Sequence, residues 1–228
     1  PDSYSCRLNK GTHKALSRFK KYSLKESKNY TKQCWILKCD VTKFFASIDH
    51  LILIKILNKH ITDKNIIWLL ENVINSFYSN EKDKGLPLGN LTSQLFANIY
   101  MNEFDQFIKH KLRVKYYIRY ADDFVIMCNG KEILEGLISQ IQSFLMKNLN
   151  LQIHPNKISI RTFASGIDYL GWVHFPNYRV FRTSTKKRMF RNIELKKREN
   201  KTIQSYLGLL KYGNTYKLKE HILNIITK

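Results

Sequence analysis

The feature that most constrains this chain is a pair of apolar runs separated by three residues. KYYIRY (115–120) and FVIMC (124–128) are built from strand formers and flank Ala121, Asp122 and Asp123. Strands this close in sequence can pair only as an antiparallel hairpin, so an antiparallel sheet is expected with two adjacent carboxylates at its tip. A second apolar run, CWILKCDV (34–41), also ends at an aspartate, Asp40. Aspartate favours turns in any protein. Here, however, two acids at one strand junction have a third at the end of another apolar strand. Clustered carboxylates repel and resist ionisation unless a cation neutralises them, and an all-oxygen set suits hard cations such as magnesium. Two such ions can serve phosphoryl transfer, one at the attacking and one at the leaving oxygen.

The other segments alternate in a mixed order. Helical spacing of apolar residues predicts helices over 12–28, 51–60, 63–79, 91–112 and 131–148. GLPLGN (85–90) reads as a loop, a strand is expected around 151–153, and 157–163 extends the sheet. IDYLGWVHF (167–175) and YRVFR (178–182) form a second hairpin turned at Pro176 and Asn177, and 184–228 is a basic helical tail broken near Gly208 and Gly213. This order implies an α+β fold, an antiparallel sheet with helices packed on one face, and argues against a doubly wound parallel sheet.

Charge adds a partner. The net charge is +21, and it is uneven: residues 1–43 carry 11 Lys and Arg against three acids, residues 186–228 carry 12 against three, and the middle carries 16 against 12. Any one basic run can be a solvated helix face. Two at opposite ends of a nearly balanced centre point to a catalytic body that grips a phosphate backbone. No segment has the apolar length to span a bilayer, so no membrane association is expected, and no signal peptide is seen. Cys6, Cys34, Cys39 and Cys128 fit neither a zinc spacing nor a disulfide framework, so reduced thiols and a cytoplasmic location are expected. The first residue is Pro1 and not Met, so the sequence is expected to begin inside a longer protein.

Five segments in order resemble the motifs of reverse transcriptases: DVTKFFASI (40–48) motif A, GLPLGNLTSQLFANIYMNEFDQF (85–107) motif B, YADD (120–123) motif C, LQIHPNK (151–157) motif D and YLGW (169–172) motif E. SYSCRLNKGTHKAL (3–16), GNLTSQ (89–94) and SYLGLLKYGNTYKL (205–218) are most similar to the enzymes of diversity-generating retroelements. Group II intron enzymes usually carry proline where Gln94 stands; bacterial defence enzymes share the GNLTSQ-like loop. The resemblance implies a right-hand polymerase, with the C-terminal part of the fingers in 1–33, the palm in 34–182 and a helical basic thumb in 183–228.

It also implies roles. Asp40, Asp122 and the carbonyl of Val41 would hold two Mg2+ ions, with Mn2+ as a substitute and Asp123 in support. Phe45 matches the steric gate that excludes a ribose 2′-hydroxyl, with Phe44 the alternative and one of the pair packing the core. Gly89 through Gln94, including Ser93, would lie under the nascent base pair. Leu88 stands where accurate enzymes carry glutamine, so low fidelity is expected. Lys157 matches the lysine that protonates departing pyrophosphate. Gly171 and Trp172 match the primer grip, although a buried hairpin tryptophan looks the same in sequence. Lys186, Lys187, Arg188 and Arg191 would bind the nucleic-acid backbone. The implied partners are dNTPs, an RNA template, a DNA or RNA primer, and a pentameric basic accessory protein. The fingers motifs that hold the triphosphate are expected to precede Pro1. A defence, retron or group II intron enzyme and a catalytically silent RNA-binding scaffold remain the alternatives.

Overall fold

The computed structural model describes residues 2–196 and 199–226, so positions 197–198 and 227–228 of the expected helical tail lie outside the described residues. The chain divides into two compact units, residues 1–160 and 161–228.

In the first unit, α1 (Thr12–Glu26) precedes β1 (Trp35–Asp40), the short α2 (Phe44–Ser47), α3 (His50–Asn58) and α4 (Lys64–Asn75). Then come α5 (Leu91–Gln106), β2 (Tyr116–Tyr120), β3 (Asp123–Cys128) and α6 (Lys131–Leu149), and β4 (Ser159–Thr162) runs across the boundary at residue 160. The sheet order is β2-β3-β1-β4, and β3 is antiparallel to both β1 and β2. Helix starts follow side-chain chemistry: Asp49 caps α3 by accepting from the Ile52 amide, and Asp63 caps α4 by accepting from Asn65 and Ile66. The helix expected to reach residue 112 changes pitch: α5 passes into a π-helical turn at Phe107–Lys111, where Phe107 stacks on Phe144 of α6 with centroids 4.1 Å apart.

Strand alternation sets the two faces of the sheet. Leu37, Cys39, Tyr117, Phe124 and Ile126 belong to one buried cluster with Phe104 of α5 and Leu134 and Ile141 of α6. The other face carries Ile36, Ile118, Val125 and Met127, all buried. Along β2 on that face lies α1, with the Thr12 hydroxyl 3.1 Å from the Tyr120 phenol and Tyr22 against Tyr116 at 5.1 Å. Helix α1, in the segment expected as fingers, thus covers the face that carries Tyr116 and Tyr120. The strand expected around 151–153 reduces to a single bridge, Ile153 to Val41.

The second unit holds a three-stranded antiparallel sheet, β5 (Ile167–Tyr169), β6 (Trp172–His174) and β7 (Arg179–Phe181), then α7 (Thr183–Leu195), α8 (Asn200–Leu210) and α9 (Tyr216–Ile226). IDYLGWVHF is thus itself a hairpin and not one strand. Leu170 and Gly171 have φ of +50° and +83°, the double left-handed geometry of a tight two-residue turn. Gly208 lies inside α8 and does not break it: a helical glycine costs about 1 kcal/mol relative to Ala without ending the helix.

Candidate active site

The antiparallel register brings the acids together. Asp40 at the end of β1 pairs with Asp123, the first residue of β3, which also pairs with Tyr120. The connection between β2 and β3 is therefore only Ala121 and Asp122, one residue shorter than the sequence suggests, and Ala121 takes a left-handed φ of +56°. The Val41 amide donates to the Asp122 carbonyl at 3.3 Å, tying the strand end to the turn, while the Val41 side chain is buried.

The 151–157 segment is laid along the same strand end. The Thr42 amide donates to the Gln152 carbonyl and the His154 amide to the Asp40 carbonyl, both at 2.8 Å. A short 3-10 turn at Pro155–Lys157, capped by the His154 ring, then carries the Lys157 ammonium to 2.8 Å from Asp40 Oδ1. That hydrogen bond holds the Lys157 proton more tightly than usual.

The acids are electrostatically strained. Burial raises Asp123 to about 7, opposed by Lys38 and reinforced by Asp40. Burial also raises Asp122, with Asp40 adding to the rise and Lys157 and Arg119 opposing it. Asp123 Oδ1 is buried with no hydrogen-bond partner, while its Oδ2 lies 3.4 Å from Lys38 Nζ. Among the described residues no three His, Cys, Asp or Glu side chains form a ready-made metal cage. The donor chemistry nonetheless fits a hard divalent cation: oxygen atoms alone, half-buried at one strand end, with Asp123 Oδ1 buried and without a hydrogen-bond partner.

Beside the acids, motif A and motif B are fastened together. The Leu86 amide donates to the Phe45 carbonyl and the Gly85 amide to the Ile48 carbonyl, both at 2.8 Å. His50 Nε2 lies 2.7 Å from the Gly85 carbonyl oxygen. Phe44 is buried in the core with Phe45 edge-on at 5.3 Å. Phe45 is only partly buried and lines a narrow cleft with Phe44, Gln94 and Ala121. Ser93 is buried under the start of α5, whereas Leu88 is 78% exposed in the loop and Gly89 has φ +95° with open space around it.

In the second unit, the Trp172 ring is buried, stacked on Phe181 at 4.2 Å with the Arg179 guanidinium 5.0 Å from its centroid. Gly171 is half-buried in the turn, and its carbonyl accepts from the Arg182 amide. The indole therefore packs, and the turn is what this hairpin offers outward. Thr185, Met189 and Ile193 are the buried stripe of α7, leaving Lys186, Lys187, Arg188 and Arg191 exposed. Lys187, Arg188 and Arg191 line one recess of about 380 Å³ with Arg182, Ser184 and Thr185. Lys186 lies outside that lining.

Sequence reasoning missed Lys38, His50 and Arg119. The signal for Lys38 and Arg119 was a cation inside an otherwise apolar strand, since a buried charge needs a partner. His50 carries no signal in its sequence neighbourhood, because its partner is a loop carbonyl 35 residues away.

Comparison with known proteins agrees with this geometry. A family profile described as reverse transcriptase (RNA-dependent DNA polymerase) matches residues 1–174. The chain is 25% identical to a COX1/OXI3 intron 2 protein of Saccharomyces cerevisiae, over 74% of this chain and 26% of that one. It is 24% identical to the group II intron-encoded protein LtrA of Lactococcus lactis subsp. cremoris, over 68% of this chain and 36% of LtrA. The fold matches a Candida albicans telomerase solved with a fragment of telomeric RNA, with TM-score 0.61, 14% identity, 80% of this chain and 35% of that one. The chain thus spans about a quarter to a third of the length of these three relatives. On the family profile, which covers well over half of its residues, the chain belongs to the reverse transcriptase family.

Proposed function

We propose that this chain is the catalytic core of an RNA-directed DNA polymerase that extends a DNA or RNA primer with dNTPs along an RNA template. One juxtaposition carries the reading: Asp40 and Asp123 are register partners beside Asp122, and a lysine ammonium lies 2.8 Å from Asp40. Asp40, Asp122, Asp123 and the Val41 carbonyl are the groups that would hold two Mg2+ ions, or Mn2+ in their place. Bound there, the ions supply charge stabilisation at the attacking and leaving oxygens. The chain's own groups do the rest. Lys157, 2.8 Å from Asp40, would be the proton donor for the departing pyrophosphate. The Phe45 ring lines a narrow cleft with Gln94, where it would exclude a 2′-hydroxyl. The turn at Gly171, not the Trp172 indole, would meet the primer end. Exposed Lys186, Lys187, Arg188 and Arg191 would neutralise backbone phosphates.

The finer reading is error-prone cDNA synthesis in a diversity-generating retroelement, in the cytoplasm and with a pentameric basic accessory protein. It is supported by the exposed Leu88 and by Gln94. A group II intron role is the second reading, favoured by the similarity to LtrA. Among the described residues no helix is long and apolar enough to cross a membrane.

Asp122→Asn tests the core of the proposal, because it keeps the shape of the side chain and removes its charge. Nucleotide incorporation in Mg2+ should fall at least 1000-fold, with template–primer affinity within about two-fold of wild type, as expected for a group that acts on the transition state. Wild-type extension by this variant would overturn the assignment.

A further inference from the structure

Arg119 is a charged side chain only 1% exposed, set in β2 immediately before Tyr120. Its guanidinium is spent on two structures at once. Nε and one terminal nitrogen donate to the two carboxylate oxygens of Asp105 in α5, at 2.8 and 2.7 Å. The other terminal nitrogen donates to the carbonyl oxygen of Ala121 at 2.9 Å. The Tyr117 hydroxyl adds a 2.7 Å bond to the same Asp105 carboxylate. The backbone of Arg119 is itself clamped, its amide donating to the Asp2 carbonyl and its carbonyl accepting from the Tyr4 amide, both at 2.9 Å.

Burying an ion pair at this depth is costly, and an apolar side chain of similar volume would fill the space with less desolvation. What an apolar side chain could not do is reach the turn. Ala121 is held at φ +56°, a region that L side chains other than Asn and Asp rarely adopt, and such a conformation persists only where neighbours over-determine it. The Ala121 carbonyl and the Asp122 amide share one rigid peptide plane. Arg119 fixes that plane from one side, and the Val41 amide fixes the next carbonyl, that of Asp122, from the other. Only a planar fork with several donors can hold a carboxylate with two prongs and still spare a third for a carbonyl.

We propose that Arg119, held by Asp105, is a positioning residue that sets the aim of the Asp122 and Asp123 carboxylates and couples the catalytic turn to α5, whose first turn carries Ser93 and Gln94. This rests on the reading of that turn as the active site, so the test includes a readout independent of polymerisation. In the full-length protein, Arg119→Lys keeps the charge and loses the third prong, Asp105→Asn weakens the grip on the fork, and Tyr117→Phe removes only one hydroxyl from the same carboxylate. Hydrogen exchange of the metal-free proteins over residues 120–124 should speed up at least ten-fold in the first two variants and stay within two-fold in Tyr117→Phe. Mn2+ binding followed by electron paramagnetic resonance should weaken several-fold in the same two variants. The Mg2+ concentration for half-maximal primer extension should rise several-fold and kcat fall at least ten-fold, with the dNTP KM unchanged. If wild type does not polymerise, the function proposed above fails, and the exchange and Mn2+ measurements still decide this inference. Unchanged exchange and Mn2+ affinity in Arg119→Lys and Asp105→Asn, or equal losses in Tyr117→Phe, would overturn it. Unfolding of Arg119→Lys and Asp105→Asn alike would overturn it too, since the network would then hold the fold and not the turn.

Discussion

Phe44 and Phe45 are neighbours that differ in burial, and the difference favours Phe45 as the proposed steric gate. Both line the cleft with Gln94 and Ala121, but Phe44 is buried in the core whereas Phe45 is only partly buried. Phe45→Ala should therefore raise incorporation of ribonucleotides relative to deoxynucleotides at least ten-fold on one template. An unchanged ratio would make Phe45 a packing residue. Leu88 is exposed and so has no packing task that would explain it. Replacing it with glutamine adds a hydrogen-bonding group to the 85–90 loop, worth on the order of 1 kcal/mol or several-fold in selectivity if it meets the nucleotide as proposed. Sequenced cDNA from Leu88→Gln should show several-fold fewer errors opposite template adenine than wild type, and an equal error rate in an active variant would remove Leu88 from the fidelity account. At this scale the sequence was informative about identity and poor about pairing. Asp40, Asp122, Asp123 and Lys157 could be singled out from motifs. That Lys157 would lie on Asp40, or Lys38 near Asp123, required the register between strands, because those partners are far apart in the chain or on different strands.

Among the elements, long helices and the central hairpin were legible because their periodicity is strong, and errors fell where backbone geometry departs from the average. The Leu170–Gly171 turn was missed because leucine at φ +50° carries no turn signal, and Gly208 was over-read as a breaker in a helix with room around it. The hairpin after that turn gives a pH prediction. His174 is buried in β6 and faces the Arg179 charge, so its pKa falls from 6.5 to about 4. Between these values the unfolded chain binds a proton that the folded chain refuses, so stability is intact above about pH 6.5 and is lost as pH falls toward 4. The difference is worth up to about 3 kcal/mol. Denaturant unfolding of wild type and His174→Gln at pH 7, 5.5 and 4 should show a shallower acid loss in the variant, and identical slopes would refute it. Helix α7 carries its own test. Lys187, Arg188 and Arg191 line one recess while Lys186 does not. Replacing those three with Gln should lower the slope of log affinity against log salt for template–primer by up to about three, roughly one per phosphate contact. Lys186→Gln should change the slope less. No change in the triple variant would leave α7 with a solvated basic face and no role in binding.

For the whole molecule, the proposed polynucleotide substrate draws on the charge distribution and the family membership. A +21 chain whose basic residues concentrate toward both ends suits a polyanionic partner, and the acids it does carry include a strained pair at the end of the central sheet. The most direct test of the account is single-nucleotide incorporation by the full-length protein on an RNA template with an annealed DNA primer, supplying one dNTP at a time in Mg2+. The account predicts extension with the complementary dNTP only, following each change of the templating base. No extension in Mg2+ or Mn2+, or addition that ignores the template, would contradict it.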